Sequence, residues 1–68
     1  MSKPTVRIHN WSLIHGSLAD WLEGEVEDHP RLDEGTFVQT SKLLVLNRES
    51  NHAETLNTIY ILVGPERK

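Results

Sequence analysis

Apolar side chains in this sequence fall into short stretches that alternate with polar residues and end at turn-forming residues. The alternation has a two-residue period from Val6 to Leu13, around a break at His9-Asn10, and again from Trp21 to Glu27. A two-residue period places successive side chains on opposite faces of a strand, and the β-branched residues in these stretches suit a pleated sheet. The pattern therefore predicts a mostly β protein.

Two longer apolar stretches, Phe37–Leu46 and Glu54–Val63, each predict one strand, and the turn-forming residues 47–53 between them predict a hairpin. Residues 28–36 contain Pro30 and Gly35, which predict an ordered loop with a positive φ at the glycine. Residues 17–22 are ambiguous. Ser17 and Asp20 resemble a capping box for one short helical turn, whereas the alternation favours a strand that starts near Trp21.

The most economical fold for four to five short strands is a small, strongly bent antiparallel sheet of the SH3-like barrel type. We expect a single β domain over residues 1–68, with frayed ends at about 1–5 and 65–68. Phe37, Trp21 and Tyr60 are expected to close the ends of the core. The predicted core is Val6, Ile8, Leu13, Leu22, Val26, Val38, Leu44, Leu46, Ile59, Ile61 and Val63.

The length of the chain limits its core. A domain of 68 residues buries only about 60% of the surface that its unfolded chain exposes, so self-association or a ligand is an expected source of stability. The strand pattern leaves Leu43, Val45 and Leu62 on the face opposite the core. We therefore expect a homo-oligomer.

Composition limits the compartments in which the protein is expected and the partners that it is expected to bind. The chain has no cysteine, which excludes disulfides and thiolate metal sites. Its formal net charge is −3, and direct binding of DNA or RNA is not expected because that binding depends on clustered Lys and Arg. No apolar run approaches the roughly 20 residues that cross a bilayer, and residues 1–4 lack a signal-peptide character. We expect a cytoplasmic protein without membrane contact.

Motifs for catalysis are absent from the sequence. The four histidines, His9, His15, His29 and His52, lack the short pair spacings of a metal site. There is no Gly-x-Ser-x-Gly elbow, and the glycines are scattered singly, without a phosphate loop. The sequence therefore predicts a protein that is not an enzyme, with no catalytic residue, no metal and no cofactor.

One stretch suggests an anion site. His29-Pro30-Arg31 places an imidazole and a guanidinium in a rigid loop, and Thr40-Ser41-Lys42 adds two hydroxyls and an ammonium. An arginine guanidinium can donate two parallel hydrogen bonds to phosphate oxygens, and hydroxyls can donate to them as well. The candidate ligand-binding residues are therefore His29, Arg31, Thr40, Ser41 and Lys42. Two alternatives stay open: Arg31 pairs with an acidic neighbour, and Thr40-Ser41 are ordinary strand residues.

A second candidate surface is acidic. The carboxylates of this surface lie within twelve positions, and the two-residue period puts the first three on one strand face. They form either a solvated face that blocks edge-to-edge aggregation or a surface that docks on a basic groove of a partner protein. The residues are Glu23, Glu25, Glu27, Asp28, Asp33 and Glu34.

The order of these motifs resembles a group of short proteins of phages, prophages and other mobile elements. The resemblance covers about residues 8–63, and its most recognisable part is a His29-Pro30-Arg31 loop, a turn at Gly35 and a strand with Thr40-Ser41. The chain departs from the group's pattern at residues 17–21. The further matching segments are Asn10–Leu13, Leu22–Val26, Gly35–Val38 and Thr55–Tyr60.

The resemblance implies a small β-barrel and a mobile-element setting, and it implies no particular chemistry. With the candidate residues above, we expect a non-catalytic anti-defence protein that binds and sequesters a nucleotide-like phosphate ligand in the host cytoplasm. The alternative is an anti-CRISPR-like inhibitor whose acidic surface docks on a basic groove of a host defence protein. The two differ in whether Arg31 and Thr40-Ser41 converge on an open pocket.

Overall fold

A computed structural model describes residues 3–67 of the chain. These residues form six β-strands and no helix, so this part of the chain has no helix that could cross a membrane. The strands are β1 (Thr5–His15), β2 (Asp20–Glu27), β3 (Phe37–Gln39), β4 (Leu43–Asn47), β5 (His52–Thr55) and β6 (Ile59–Val63).

All six strands belong to one mixed sheet in the order β3-β2-β1-β6-β5-β4. β1 and β6 are parallel, and every other pair is antiparallel. The predicted all-β class is confirmed, but the sheet is not closed and a barrel is not confirmed. The helical turn considered near residues 17–22 is wrong, because residues 16–19 form a hairpin loop in which Gly16 N donates to Ala19 O at 3.0 Å.

The sheet is strongly bent, and the chain connectivity shows why. β3 and β4 form opposite edges of the sheet, yet only residues 40–42 join them. Four Cα steps reach at most about 15 Å, whereas the edges of a flat sheet of this size lie about 24 Å apart. At this link Thr40 N donates to Leu22 O at 2.9 Å, and Thr40 Oγ1 accepts from Leu22 N at 2.9 Å.

Two predicted strands are each divided in the structure. Phe37–Leu46 is wrong as one strand because the link at residues 40–42 carries the chain from one edge to the other. Glu54–Val63 is wrong as one strand because Thr55 and Thr58 close a tight turn, with Thr55 N donating to Thr58 O at 2.9 Å. Residues 3–67 thus form six strands where the sequence predicted four or five.

The core lies on one face of the bent sheet and is centred on β1, β2 and β6. Four predicted core residues are fully buried, namely Val6, Ile8, Leu22 and Val26. Leu13, Val38 and Leu46 are partly buried and pack against this core, as does Leu43, which was expected on the opposite face. The remaining buried apolar residues are Trp11, Ala53, Tyr60 and Leu62.

The predicted facing of β6 is wrong by one residue. Tyr60 and Leu62 are buried, whereas Ile61 is 37% exposed and Ile59 and Val63 are half-buried. A shift of one residue moves every side chain of a strand to the opposite face of the sheet. Because β6 is apolar at successive positions, its sequence does not show which side chains face the core.

Two further residues, one predicted to belong to the core and one predicted to close its end, are exposed. Leu44 is 49% exposed, since a bulge between Leu43 and Val45 interrupts the alternation along β4. Phe37 is likewise exposed rather than closing the core.

The predicted break at His9-Asn10 is confirmed as a bulge in β1. The register shifts between His9 and Ser12, and Asn10 has a φ of 50°. The extra residue changes the phase of the strand, so Trp11 faces the core after Ile8 does. Gly24 lies beneath this region, where an added Cβ would meet Ile8 Cγ1 at 2.7 Å, so a larger residue cannot be accommodated without displacing β1.

The N-terminal segment is bonded to the sheet, although we expected residues 1–5 to fray. Lys3 Nζ donates to Glu54 Oε2 at 2.6 Å and to Thr55 O at 2.8 Å. Pro4 O accepts from Ile59 N at 2.9 Å, and Thr5 already belongs to β1. Met1 and Ser2 lie outside the described residues.

The C-terminal segment also differs from the frayed tail expected over 65–68. Glu66 accepts hydrogen bonds from Leu13 N at 3.1 Å and from the Arg48 guanidinium. Arg67 N donates to Trp11 O at 2.7 Å, so this segment continues along β1 where β6 ends. Lys68 lies outside the described residues.

Acid should weaken the fold through Glu66. The hydrogen bond from Arg48, together with that from the Leu13 amide, holds the pKa of Glu66 below its ordinary value of 4.5. Because the unfolded chain takes up the proton first, the stabilisation is complete above that value and is lost as the pH falls through the lowered pKa of the folded state. Glu66→Gln should lower the free energy of unfolding by roughly 1 kcal/mol at pH 7 and flatten its decrease in acid. Urea unfolding at pH 7 and pH 3 measures both effects, and an unchanged pH dependence in the variant would contradict the assignment.

We predict self-association through the open edge of β4. Leu62 cannot contribute to it, because this side chain is buried. Leu44 and Val45 are each nearly half exposed, and β4 contains no charged residue. Uncharged edges tend to pair with other strands, so light scattering should give a mass above 7.8 kDa. Val45→Lys should shift that mass towards the monomer. A wild-type monomer at high concentration would contradict this prediction.

Candidate functional site

A cavity of about 530 Å³ lies at the end of the sheet where the parallel strands β1 and β6 begin. Its walls come from the segment before β1, the loop after β2 and the turn before β6. The lining residues are Pro4, His29, Pro30, Arg31, Asn57 and Thr58. The cavity thus joins three segments that are distant in the sequence.

His29 holds the loop that carries Arg31. Its Nδ1 accepts from Arg31 N at 3.0 Å and from Leu32 N at 3.2 Å. A ring nitrogen that accepts carries no proton, so the neutral ring has its proton on Nε2, which is a free donor with respect to residues 3–67. The imidazole therefore bonds the backbone of the loop and also offers a donor.

Arg31 differs from the other arginines of the described chain. Arg7 approaches Asp28 at 3.4 Å, Arg48 pairs with Glu66, and Arg67 lies 5.9 Å from the centre of the Phe37 ring. Arg31 is exposed, and within residues 3–67 its guanidinium has no ion pair and no aromatic contact. Within residues 3–67, Arg31 therefore does not pair with an acidic neighbour, which was one of the alternatives to an anion site.

The opposite part of the lining is a rigid turn. Thr55 is fully buried and Thr58 nearly so. Thr55 N donates to Thr58 O at 2.9 Å, and the Thr55 hydroxyl also bonds the backbone N and O of Thr58 at 3.2 Å each. These bonds satisfy the buried polar groups and leave Leu56 and Asn57 exposed on the outside of the turn.

Thr40, Ser41 and Lys42 do not line this cavity. The Thr40 hydroxyl accepts from Leu22 N and donates to Ser41 O at 2.9 Å, and Lys42 O accepts from Leu56 N at 3.2 Å. These residues form the link between the two sheet edges. Of the five predicted ligand residues, the cavity lining therefore includes His29 and Arg31.

Sequence reasoning missed Pro4, Asn57 and Thr58. Pro4 and Thr58 meet because β1 and β6 pair in parallel, and that pairing leaves no local signal in the sequence. The run Thr55-Leu56-Asn57-Thr58 was the available signal, since polar residues that bond to nearby backbone groups favour turns.

The predicted acidic face is present on β2. Glu23, Glu25 and Glu27 alternate with the buried positions of the strand, as expected. Glu23 Oε2 accepts from Gln39 Nε2 at 2.6 Å. The hydrogen bond to His9 at 2.9 Å, aided by the charge of Arg7, lowers the pKa of Glu27. Part of the acidic face is therefore engaged within the protein.

The other acidic residues lie around the loop after β2. Glu34 Oε1 accepts from Asp28 N at 2.8 Å, and the backbone oxygen of Asp33 accepts from the Thr36 hydroxyl at 2.7 Å. Glu34 lines a shallow depression of about 290 Å³ together with Glu25 and Glu27. This depression, rather than the cavity beside Arg31, concentrates the negative charge.

No group of three His, Asp or Glu side chains within residues 3–67 is arranged to hold a metal ion. No protein-family model, curated protein or solved structure matches this chain. The chemistry of the cavity follows from its lining, which supplies a guanidinium, an imidazole, a carboxamide and two prolyl rings.

Replacing His29 should show whether its imidazole holds the backbone of the loop. His29→Ala removes the acceptor for the Arg31 and Leu32 amides, and the loss of a hydrogen bond of about 0.5–1.5 kcal/mol should speed their exchange roughly twofold to tenfold. His29→Asn places an oxygen at the position of Nδ1 and should keep the protection. Amide hydrogen exchange followed by NMR measures this, and equal exchange in all three proteins would show that the imidazole does not hold the loop.

Proposed function

We propose that this protein is a non-catalytic binder of a small, nucleotide-like phosphate ligand, and that the cavity at His29-Pro30-Arg31 is the binding site. One observation carries the proposal. Arg31 lines a cavity and its guanidinium has no ion pair within residues 3–67, although the chain has a net charge of −3. A guanidinium fork matches the oxygens of a phosphate and binds them through charge-assisted hydrogen bonds.

The rest of the lining supports a phosphate ligand. The Nε2–H of His29 is a second donor in the loop that carries Arg31, and phosphate oxygens are acceptors. The cavity volume of about 530 Å³ is in the range of small-molecule sites, which are typically about 300–1,000 Å³. No carboxylate belongs to the described lining, so the cavity does not place a negative charge against the ligand.

The proposed activity is sequestration of the ligand. The motif order described above supports a mobile-element setting, where removal of a nucleotide signal from the host cytoplasm would keep a defence protein inactive. The competing candidate is a protein inhibitor that docks its acidic face on a basic surface. It is favoured by Glu25, whose carboxylate has no partner within residues 3–67 and lines the acidic depression.

Arg31→Ala tests the proposal directly. The variant should fold with an unchanged free energy of unfolding, because the described fold makes no use of the Arg31 side chain. It should bind the ligand about tenfold to a hundredfold more weakly, from the loss of a charge-assisted contact of roughly 1.5–3 kcal/mol. Titration calorimetry against a panel of cyclic and linear nucleotides measures the affinity.

Glu25→Ala is the matched control, since it changes a charge outside the cavity. Its nucleotide affinity should be unchanged or slightly higher, because a negative charge is removed from the molecule. If Arg31→Ala retained full affinity, the phosphate site would be wrong. If Glu25→Ala alone lost inhibition of a basic partner protein, the acidic docking surface would take its place.

A further inference from the structure

The turn before β6 presents Asn57 to the same cavity as Arg31. Asn57 is exposed, and its carboxamide makes no hydrogen bond to another of the residues 3–67. The turn itself is fixed by three hydrogen bonds between the buried Thr55 and Thr58. A rigid turn therefore displays a carboxamide that the fold does not use.

Pro4 belongs to the same rigid unit. Its carbonyl accepts from Ile59 N at 2.9 Å, directly after the turn. Lys3 is occupied by Glu54 Oε2 at 2.6 Å and Thr55 O at 2.8 Å, so its ammonium is already neutralised. This part of the cavity offers an amide and an apolar ring, and it does not offer a free positive charge for a second phosphate.

We infer that Asn57 binds the edge of a nucleobase, so the ligand is a nucleoside phosphate rather than a sugar phosphate or inorganic phosphate. This inference rests on the proposed function. A carboxamide places a donor and an acceptor side by side, and the hydrogen-bonding edges of the bases do the same. The Pro4 and Pro30 rings supply apolar surface for the faces of the base, while Arg31 holds the phosphate.

The experiment compares three probes: nucleoside 5′-monophosphates, ribose 5-phosphate and inorganic phosphate. Calorimetric titration of the wild-type protein should show at least one nucleotide binding on the order of tenfold to a hundredfold more tightly than ribose 5-phosphate, as expected for one bidentate amide–base contact. Asn57→Ala should reduce this difference by about tenfold or more, leaving only the contribution of the proline rings, and should leave the affinity for ribose 5-phosphate unchanged. Asn57→Leu keeps a similar size, loses both the donor and the acceptor and adds no charge, so it should reduce nucleotide affinity too.

Both variants should fold, because Asn57 is exposed and its φ is not positive. If the wild type bound ribose 5-phosphate as tightly as nucleotides, or if neither variant changed nucleotide affinity, the role of Asn57 would be overturned. The phosphate site would still stand if Arg31→Ala weakened binding of both compounds. If no phosphate compound bound the wild type, the proposed function itself would be wrong.

Discussion

The parallel pairing of β1 with β6 is the constraint on which the rest of the structure depends. It places the start of both strands at one end of the sheet, with Thr5 opposite Ile59. β2 runs antiparallel to β1 and ends at this same end, where Glu27 lies opposite Arg7. The segment before β1, the loop after β2 and the turn before β6 must therefore meet, and the cavity is the space between them.

The positively charged residues at this end of the sheet differ in whether they form ion pairs. Arg7 lies between Glu27 and Asp28, and Lys3 is bound by Glu54, so these cations are compensated within the fold. His29 Nδ1 accepts from two amides of the loop that carries Arg31, and Arg31 lines the cavity, whereas Glu25 lines the acidic depression. Arg31 and Glu25 thus line two different depressions, and no carboxylate belongs to the described lining beside Arg31.

Sequence patterns predicted the features that depend on neighbouring residues. These include the alternation of β2, the phase change at Asn10 and the positive φ of 78° at Gly35. They did not predict the parallel pair or the facing of β6, because pairing between distant segments leaves no periodic signal and Ile59–Val63 is apolar on both faces. The same distinction applies to the candidate site. The sequence predicted the His29-Pro30-Arg31 loop, which is a local feature, whereas Asn57 and Pro4 reach the cavity only through the parallel pair.

Nucleotide binding at the cavity is tested most directly by a map of amide chemical shifts in ¹⁵N-labelled protein during titration with a nucleoside 5′-monophosphate. We expect shifts that saturate together at three separate segments, around Arg31, around Asn57 and at Thr5 beside Pro4, with little change along Glu23–Glu27. Saturable shifts confined to the acidic face of β2, or no shifts at millimolar nucleotide, would contradict binding at the cavity.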